Sequence, residues 1–190
     1  MSIRLDSRKT ALVLIDLQHG IVSLPVQPLS AAAVVDASRE LAAACRRHGA
    51  TVVYVRVDLA NMLPLKVDIA HARDDDAPIP ASASELVDNA GFMAGDLIVT
   101  KRHWGAFDLS SGLEHALKER DIDTIILAGI ATNYGVESTA RQANSLGFQV
   151  VIASDACSSL DATAHAFTME KIFPLMARVR SAREIVDALS

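Results

Sequence analysis

The stretch that decides the fold is Ala128-Gly129-Ile130-Ala131-Thr132-Asn133-Tyr134-Gly135-Val136-Glu137-Ser138-Thr139-Ala140-Arg141. The apolar run Thr124-Ile125-Ile126-Leu127-Ala128 leads into it and has the make-up of a buried strand. A short polar turn follows. A helix then starts near Gly135, runs to Leu146 and stops at Gly147. A strand feeding directly into a helix N-terminus presents unpaired backbone N–H groups and a partial positive charge, and α/β proteins place chemistry there. The turn holds neither Cys nor Ser where a nucleophile would stand. Gly135 occupies that place.

The same alternation extends in both directions. Ala11–Ile15, Thr51–Val57 and Asp96–Thr100 read as strands before the deciding stretch, and Gln149–Ala153 and Ala177–Arg180 as strands after it. Ser30 caps a helix to about His48, with Gly49 at its C′ position. Ser82 with Glu85, Ser111 with Glu114 and Ser181 with Glu184 read as capping boxes, the second opening a helix to about Arg120. Asp161 starts a helix to about Phe173, ahead of Pro174. Strands alternating with helices at short spacing make residues 1–190 a single α/β domain around a mostly parallel, Rossmann-like sheet. Asn61–Pro80 is the least regular stretch. Its Pro64, Pro78 and Pro80 mark a long excursion over the sheet rim, a lid or an oligomer contact. Its run Asp74-Asp75-Asp76 reads as a solvated loop, because three adjacent carboxylates cannot converge on one ion, and His71 as an exposed side chain.

Bulk properties exclude several classes. With 51% apolar residues in short runs, the chain can bury a full core, but no run approaches the ~20 residues of a membrane span. The first ten residues lack the apolar core of a signal peptide. A net charge of -5 with mixed signs argues against nucleic acid or an anionic membrane as partner. Cys45 and Cys157 form neither a metal spacing nor a disulfide framework, and each reads as a small buried hydrophobe. No phosphate loop, G-x-S-x-G or H-E-x-x-H is present, so no cofactor and no metal is expected. A reduced, cytoplasmic protein is the simplest expectation.

Three features end three different strands: Asp16 after the first, Lys101 after the third, and the turn at 130–135 after the fourth. Parallel strands put their carboxyl ends on one edge, where α/β sheets bind ligands. Asp16 alone reads equally as a rim acid or as a turn carboxylate. A Lys within about 4–6 Å would keep such an acid ionised or fix a bound anion, and convergence at that distance is what the reading requires. Backbone donors at the helix start would hold a developing oxyanion, each contributing on the order of 3 kcal/mol. Trp104 and Phe107, just beyond Lys101, are candidates to wall a pocket. Glu137 and Arg141, four apart, read as a surface pair.

Asp16 in Leu14-Ile15-Asp16-Leu17-Gln18, Lys101 in Val99-Thr100-Lys101, Gly129-Ile130-Ala131-Thr132 and Asp155-Ala156 resemble the isochorismatase-like hydrolases, often called cysteine hydrolases, in the right order over nearly the whole chain. The resemblance implies a three-layer α/β/α sandwich around a six-stranded sheet, in a dimer, tetramer or other homo-oligomer. It implies an Asp–Lys–Cys triad whose Asp is Asp16, whose Lys is Lys101 and whose Cys position is taken by Gly135. It also implies a cis peptide at Ile130-Ala131, turning the Ala131 N–H towards an oxyanion beside the N–H of Gly135. His103, Trp104, Phe107 and Tyr134 would line the pocket, and Gln18, Thr132 and Asn133 would complete the substrate-binding set. Which of Arg102, His103 and Arg141 face inward stays open.

Glycine closes the thioester route by which most of that family hydrolyses amides. The nicotinamidase metal pattern would fall near Asp58-Leu59-Ala60, where no His stands. Isochorismatases proper resemble this chain in lacking the Cys. They cleave a vinyl ether, with the Asp as general acid on the alkene carbon. Asp16 would need a raised pKa for that role: burial raises it and Lys101 lowers it. Two readings follow. One is a Cys-less hydrolase acting on a small, anionic molecule, Lys101 orienting either Asp16 or the substrate. The other is a non-catalytic binding or scaffold relative with Asp16 and Lys101 as a residual ion pair.

Overall fold

The computed structural model describes residues 3–63, 65–69 and 78–190. Pro64, His71 and Asp74–Asp76, and with them part of the expected rim excursion, lie outside the described residues. The strands are β1 (Thr10–Ile15), β2 (Thr51–Val57), β3 (Leu97–Lys101), β4 (Thr124–Ile130), β5 (Gln149–Ser158) and β6 (Arg178–Arg180). They form one six-stranded sheet in the order β3-β2-β1-β4-β5-β6, parallel at every pairing. The helices are α1 (His19–Val22), α2 (Ala31–Arg47), α3 (Leu113–Lys118), α4 (Glu137–Ser145), α5 (Ala162–Phe167) and α6 (Ala182–Ala188). Every residue of β1 and β4 is buried, as their unbroken apolar runs require of central strands covered on both faces. Cys45 and Cys157 are both buried in this core.

Local signals succeeded where the chain's next step agreed with them. Ser30 Oγ accepts the Ala33 N–H at 3.2 Å, and Ser181 with Glu184 forms a full capping box. Two other expected boxes are absent. Residues Ala81–Ser84 form a single 3-10 turn, and Glu85 leaves it extended with its carbonyl accepting from His19 N at 3.0 Å. At the other, Gly112 (φ 71) is the cap of α3, while the Ser111 hydroxyl is turned to the carbonyls of Ala106 (2.6 Å) and Asp108 (2.9 Å). The expected rim turn at 155–159 is also corrected. Strand β5 continues to Ser158 because a register shift between Leu127 and Gly129 lets Cys157 pair with Gly129 and Ser158 with Ile130. The helix expected from Gly135 begins as a wide π turn over Thr132–Val136 and becomes α-helical at Glu137. The one expected from Asp161 is α5, a π turn over Thr168–Ile172 and a 3-10 turn over Phe173–Leu175.

Candidate active site

Strand register brings the pieces together. Ile15 pairs with Val55 on one side and Gly129 on the other, and Val57 pairs with Lys101, so Asp16, Lys101 and the 131–135 turn share the carboxyl edge. Gly129 permits the closest approach. At φ 119 it takes a conformation that side chains rarely adopt, and a Cβ there would stand 2.2 Å from the Ile15 carbonyl oxygen. Asp16 itself has φ 55, a left-handed kink that ends β1 while its N–H still bonds to the Val55 carbonyl at 2.9 Å.

The Lys101 ammonium lies 2.8 Å from Asp16 Oδ2, inside the distance that convergence requires, with the side chains only 1% and 7% exposed. Its other two protons go to the carbonyls of His103 (3.1 Å) and Trp104 (2.9 Å). An ammonium has three donors, so Lys101 is saturated. It holds Asp16 and the loop beyond β3, and the alternative in which it grips the substrate is not what the geometry provides.

Burial raises the Asp16 carboxyl from 3.8 to about 6, against the lowering pull of the Lys101 charge and hydrogen bond and of the Val57 N–H. Desolvation therefore wins the competition between the two effects. The Val57 N–H lies near enough to Asp16 to favour its charged form, but its hydrogen bond goes to Gln18 Oε1 at 2.7 Å, and Asp16 Oδ1 is buried with no hydrogen-bond partner among the described residues. A proton taken up near pH 6 thus has a free oxygen to reside on.

Gly135 is buried directly against this carboxyl. A Cβ built on it would lie 2.9 Å from Ile15 Cγ2, 3.2 Å from Asp16 Oδ2 and 3.5 Å from the Trp104 carbonyl oxygen. Ala131 precedes the turn after a cis Ile130–Ala131 peptide, and its carbonyl accepts from Tyr134 N (3.1 Å) and Val136 N (3.2 Å). The Thr139 hydroxyl donates to the Gly135 carbonyl at 2.7 Å and accepts the Ala106 N–H at 3.1 Å, so α4 ties the turn to the loop after β3. On that loop Trp104 meets Tyr134 edge to face (centroids 5.0 Å) and His103 at 5.6 Å. Tyr134 directly precedes Gly135, and the Trp104 carbonyl is the part of that loop nearest to it.

Other expected site residues are placed elsewhere. Gln18 is fully buried, with Nε2 donating to the carbonyls of Val57 (2.9 Å) and Ala83 (3.1 Å). It is a bracket between β1, β2 and the 81–84 turn, so its expected substrate contact is withdrawn. Phe107 packs on Phe148 (5.5 Å), at the start of β5 and not at the carboxyl edge, so it is no wall of this site. Thr132 is fully buried with its hydroxyl against Ser158 and His165, and Asn133 Oδ1 accepts from the Ser159 hydroxyl. Both brace the turn. Arg141 pairs with Glu137 at 2.8 Å on the helix surface, and Arg102 is exposed with Nε on the Asn61 carbonyl at 2.8 Å. The Cys157 and Cys45 thiols are pushed up to about 12 by burial, which makes neither a nucleophile. His165, which touches Thr132, carried no signal in the sequence: it is a single His on a short helix, 33 positions from its partner.

Residues 10–184 match the isochorismatase domain. The chain is 43% identical to the uncharacterised isochorismatase family protein YecD of Escherichia coli O157:H7, covering 98% of this chain and all of that one. It is 39% identical to the uncharacterised isochorismatase family protein YwoC of Bacillus subtilis, covering 98% and 97%. A solved structure of an isochorismatase family protein from Burkholderia thailandensis superposes with a TM-score of 0.90 at 38% identity, over 99% of this chain and 98% of that one. At 22% identity a cysteine hydrolase from Pseudomonas syringae shares the fold, with a TM-score of 0.78.

Proposed function

The chain belongs to the isochorismatase family, and from that premise we propose that it hydrolyses a small enol ether with Asp16 as general acid and no covalent enzyme intermediate. One observation carries the reading: a buried carboxyl raised to about 6 with an unpartnered oxygen, beside a turn that offers no nucleophile. Asp16 donates its Oδ1 proton to the alkene carbon, whose π electrons form the new C–H bond and leave an oxocarbenium ion. Water adds to that ion and returns a proton to Asp16. The hemiketal then breaks its C–O bond, releasing an alcohol and a ketone. Lys101 holds Oδ2 and stabilises the carboxylate formed when the proton leaves. Backbone N–H groups of Ala131 and Gly135 are the donors for the alkoxide-like oxygen of the leaving alcohol as the hemiketal breaks, and the aromatic cluster of His103, Trp104 and Tyr134 favours a planar, conjugated substrate. Leu63, Leu65, Val67 and Ile69 are all exposed, which supports a homo-oligomer using that segment.

The test is turnover by purified protein on isochorismate and on panels of enol ethers, amides and thioesters, with Asp16→Ala as control. Enol-ether cleavage that is lost in Asp16→Ala, with no amide or thioester turnover, is the expected result. The saturated Lys101 and nearly closed Asp16 also favour a second reading, a binding relative with a residual ion pair. Tight binding of a small acid with no turnover on any class would establish that reading in place of the first.

A further inference from the structure

The 131–135 turn is held from α5 through one side chain. Thr132 Oγ1 lies 3.1 Å from the Ser158 carbonyl and 2.8 Å from His165 Nδ1. A carbonyl only accepts, so the first contact uses the single hydroxyl proton of Thr132. The second is then a hydrogen bond only if Nδ1 carries a proton and donates it to Thr132 Oγ1. Both contacts are satisfied at once by one directed chain: His165 Nδ1–H to Thr132 Oγ1, and Thr132 Oγ1–H to the Ser158 carbonyl. That chain selects the imidazole tautomer with a bare Nε2. A second bridge runs alongside, the Thr168 hydroxyl donating to Glu137 Oε2 at 2.9 Å. Together they fasten Thr132, at the start of the π turn, and Glu137, just past its end, to α5 and the turn after it.

We propose that His165 is a positioning residue of the active site, fixing Thr132, and with it the backbone donors of the 131–135 turn, through its Nδ1–H. Thr132 directly follows Ala131, and Gly135 sits three residues on, against Asp16. A rotation at Thr132 would change how Gly135 and the Ala131 backbone on its other side sit relative to each other. Desolvation lowers the imidazole pKa and so favours the neutral ring, and the directed hydrogen-bond chain selects its tautomer. An Asn at 165 can present an N–H near the same point. A Leu cannot.

The kinetic arm rests on the hydrolase reading, and the other two arms do not. Long-range 1H–15N correlation spectra of the full-length protein at pH 7 report the tautomer, and amide hydrogen exchange reports the turn. The expected results are an Nδ1–H, bare-Nε2 signal for His165 and exchange at residues 131–136 about tenfold faster in His165→Leu than in wild type. His165→Asn is expected within about threefold of wild type, since it retains the donor. On an enol-ether substrate, kcat is expected to fall about tenfold in His165→Leu with a smaller change in KM, and to recover in His165→Asn. An Nε2–H tautomer, unchanged exchange in His165→Leu, or equal impairment in Leu and Asn variants overturns the proposal. Loss of all turnover in wild type refutes the hydrolase reading instead, and the spectra and exchange then still decide the role of His165.

Discussion

The strongest quantitative consequence concerns Asp16 and can be measured without a substrate. Its carboxyl moves from 3.8 to about 6 on folding. A tenfold gain in proton affinity corresponds to about 1.4 kcal/mol, so folding and this proton are linked by about 3 kcal/mol. The sign follows from which state holds the proton. Between pH 3.8 and 6 the folded chain keeps it and the unfolded chain releases it. The contribution is therefore fully present below the unfolded value, declines as pH rises through this window, and is absent above it. Other carboxylates titrate in the same range, so the comparison is with Asp16→Asn, which keeps the shape and removes the titration. Urea unfolding of both proteins should be followed from about pH 3.5 to about pH 7. The wild type is expected to lose about 3 kcal/mol relative to Asp16→Asn across that range, with most of the loss between about pH 4 and pH 6. A 13C carboxyl titration of the wild type should place the inflection near 6. Parallel stability curves, or an inflection at the ordinary carboxylate value, would refute the argument that burial outweighs Lys101, and general-acid chemistry at neutral pH would fall with it.

Three further outcomes follow from the same geometry. Lys101→Met removes a charge that pulls the Asp16 value down and orphans the His103 and Trp104 carbonyls. It should raise the Asp16 inflection above that of wild type and cost about 3–5 kcal/mol in urea unfolding, and a lower inflection would contradict the assignment. Gly135→Cys crowds Ile15 Cγ2 and should cost roughly 1–3 kcal/mol, with part regained in Gly135→Cys/Ile15→Leu, where the branch moves away. A thiol probe should label that cysteine well ahead of buried Cys45 and Cys157, and equal labelling of all three would show that position 135 does not face the site. Gln18→Leu leaves the Val57 N–H and the Val57 and Ala83 carbonyls without their side-chain partner, so stability should drop by about 1–3 kcal/mol. If instead its stability is unchanged and substrate KM rises, Gln18 is a substrate ligand after all.

Much of the fold was legible because its signals are local. The unbroken apolar runs of β1 and β4 can only be central strands covered on both faces, and Asp16 and Lys101 stand out because charges end such runs. Signals that depend on where the chain goes next were not legible. Ser111-Gly112-Leu113-Glu114 satisfies the capping pattern, yet the left-handed Gly112 puts itself between the serine and the helix. Asp155 to Ser158 has turn composition, and only the register slip at Leu127/Gly129 keeps it in the sheet. The resemblance puts Gln18 in the substrate-binding set, and nothing in the sequence says that the Val57 backbone lies within reach of its amide. His165 and Phe107 share that origin: each owes its role to a partner far along the chain, His165 to Thr132 and Phe107 to Phe148.

The glycine at 135 sits in a tight place beside Asp16. A thiol at that position would need a proton acceptor, and a carboxyl held ionised by a lysine would serve as one. Here the space is already narrow, with Ile15 Cγ2 and Asp16 Oδ2 within 3.2 Å of where a Cβ would stand. The carboxyl is thus kept dry by apolar and backbone atoms on the side where a side chain would otherwise reach it. Dryness, rather than the lysine, sets its proton affinity. The charge and hydrogen bond of Lys101 lower that affinity by less than burial raises it. What remains is a buried carboxyl raised to about 6, with one oxygen that makes no hydrogen bond among the described residues. The missing side chain at 135 and the raised pKa of Asp16 thus meet at one place, and the pH dependence of Asp16→Asn against wild type tests whether they act together.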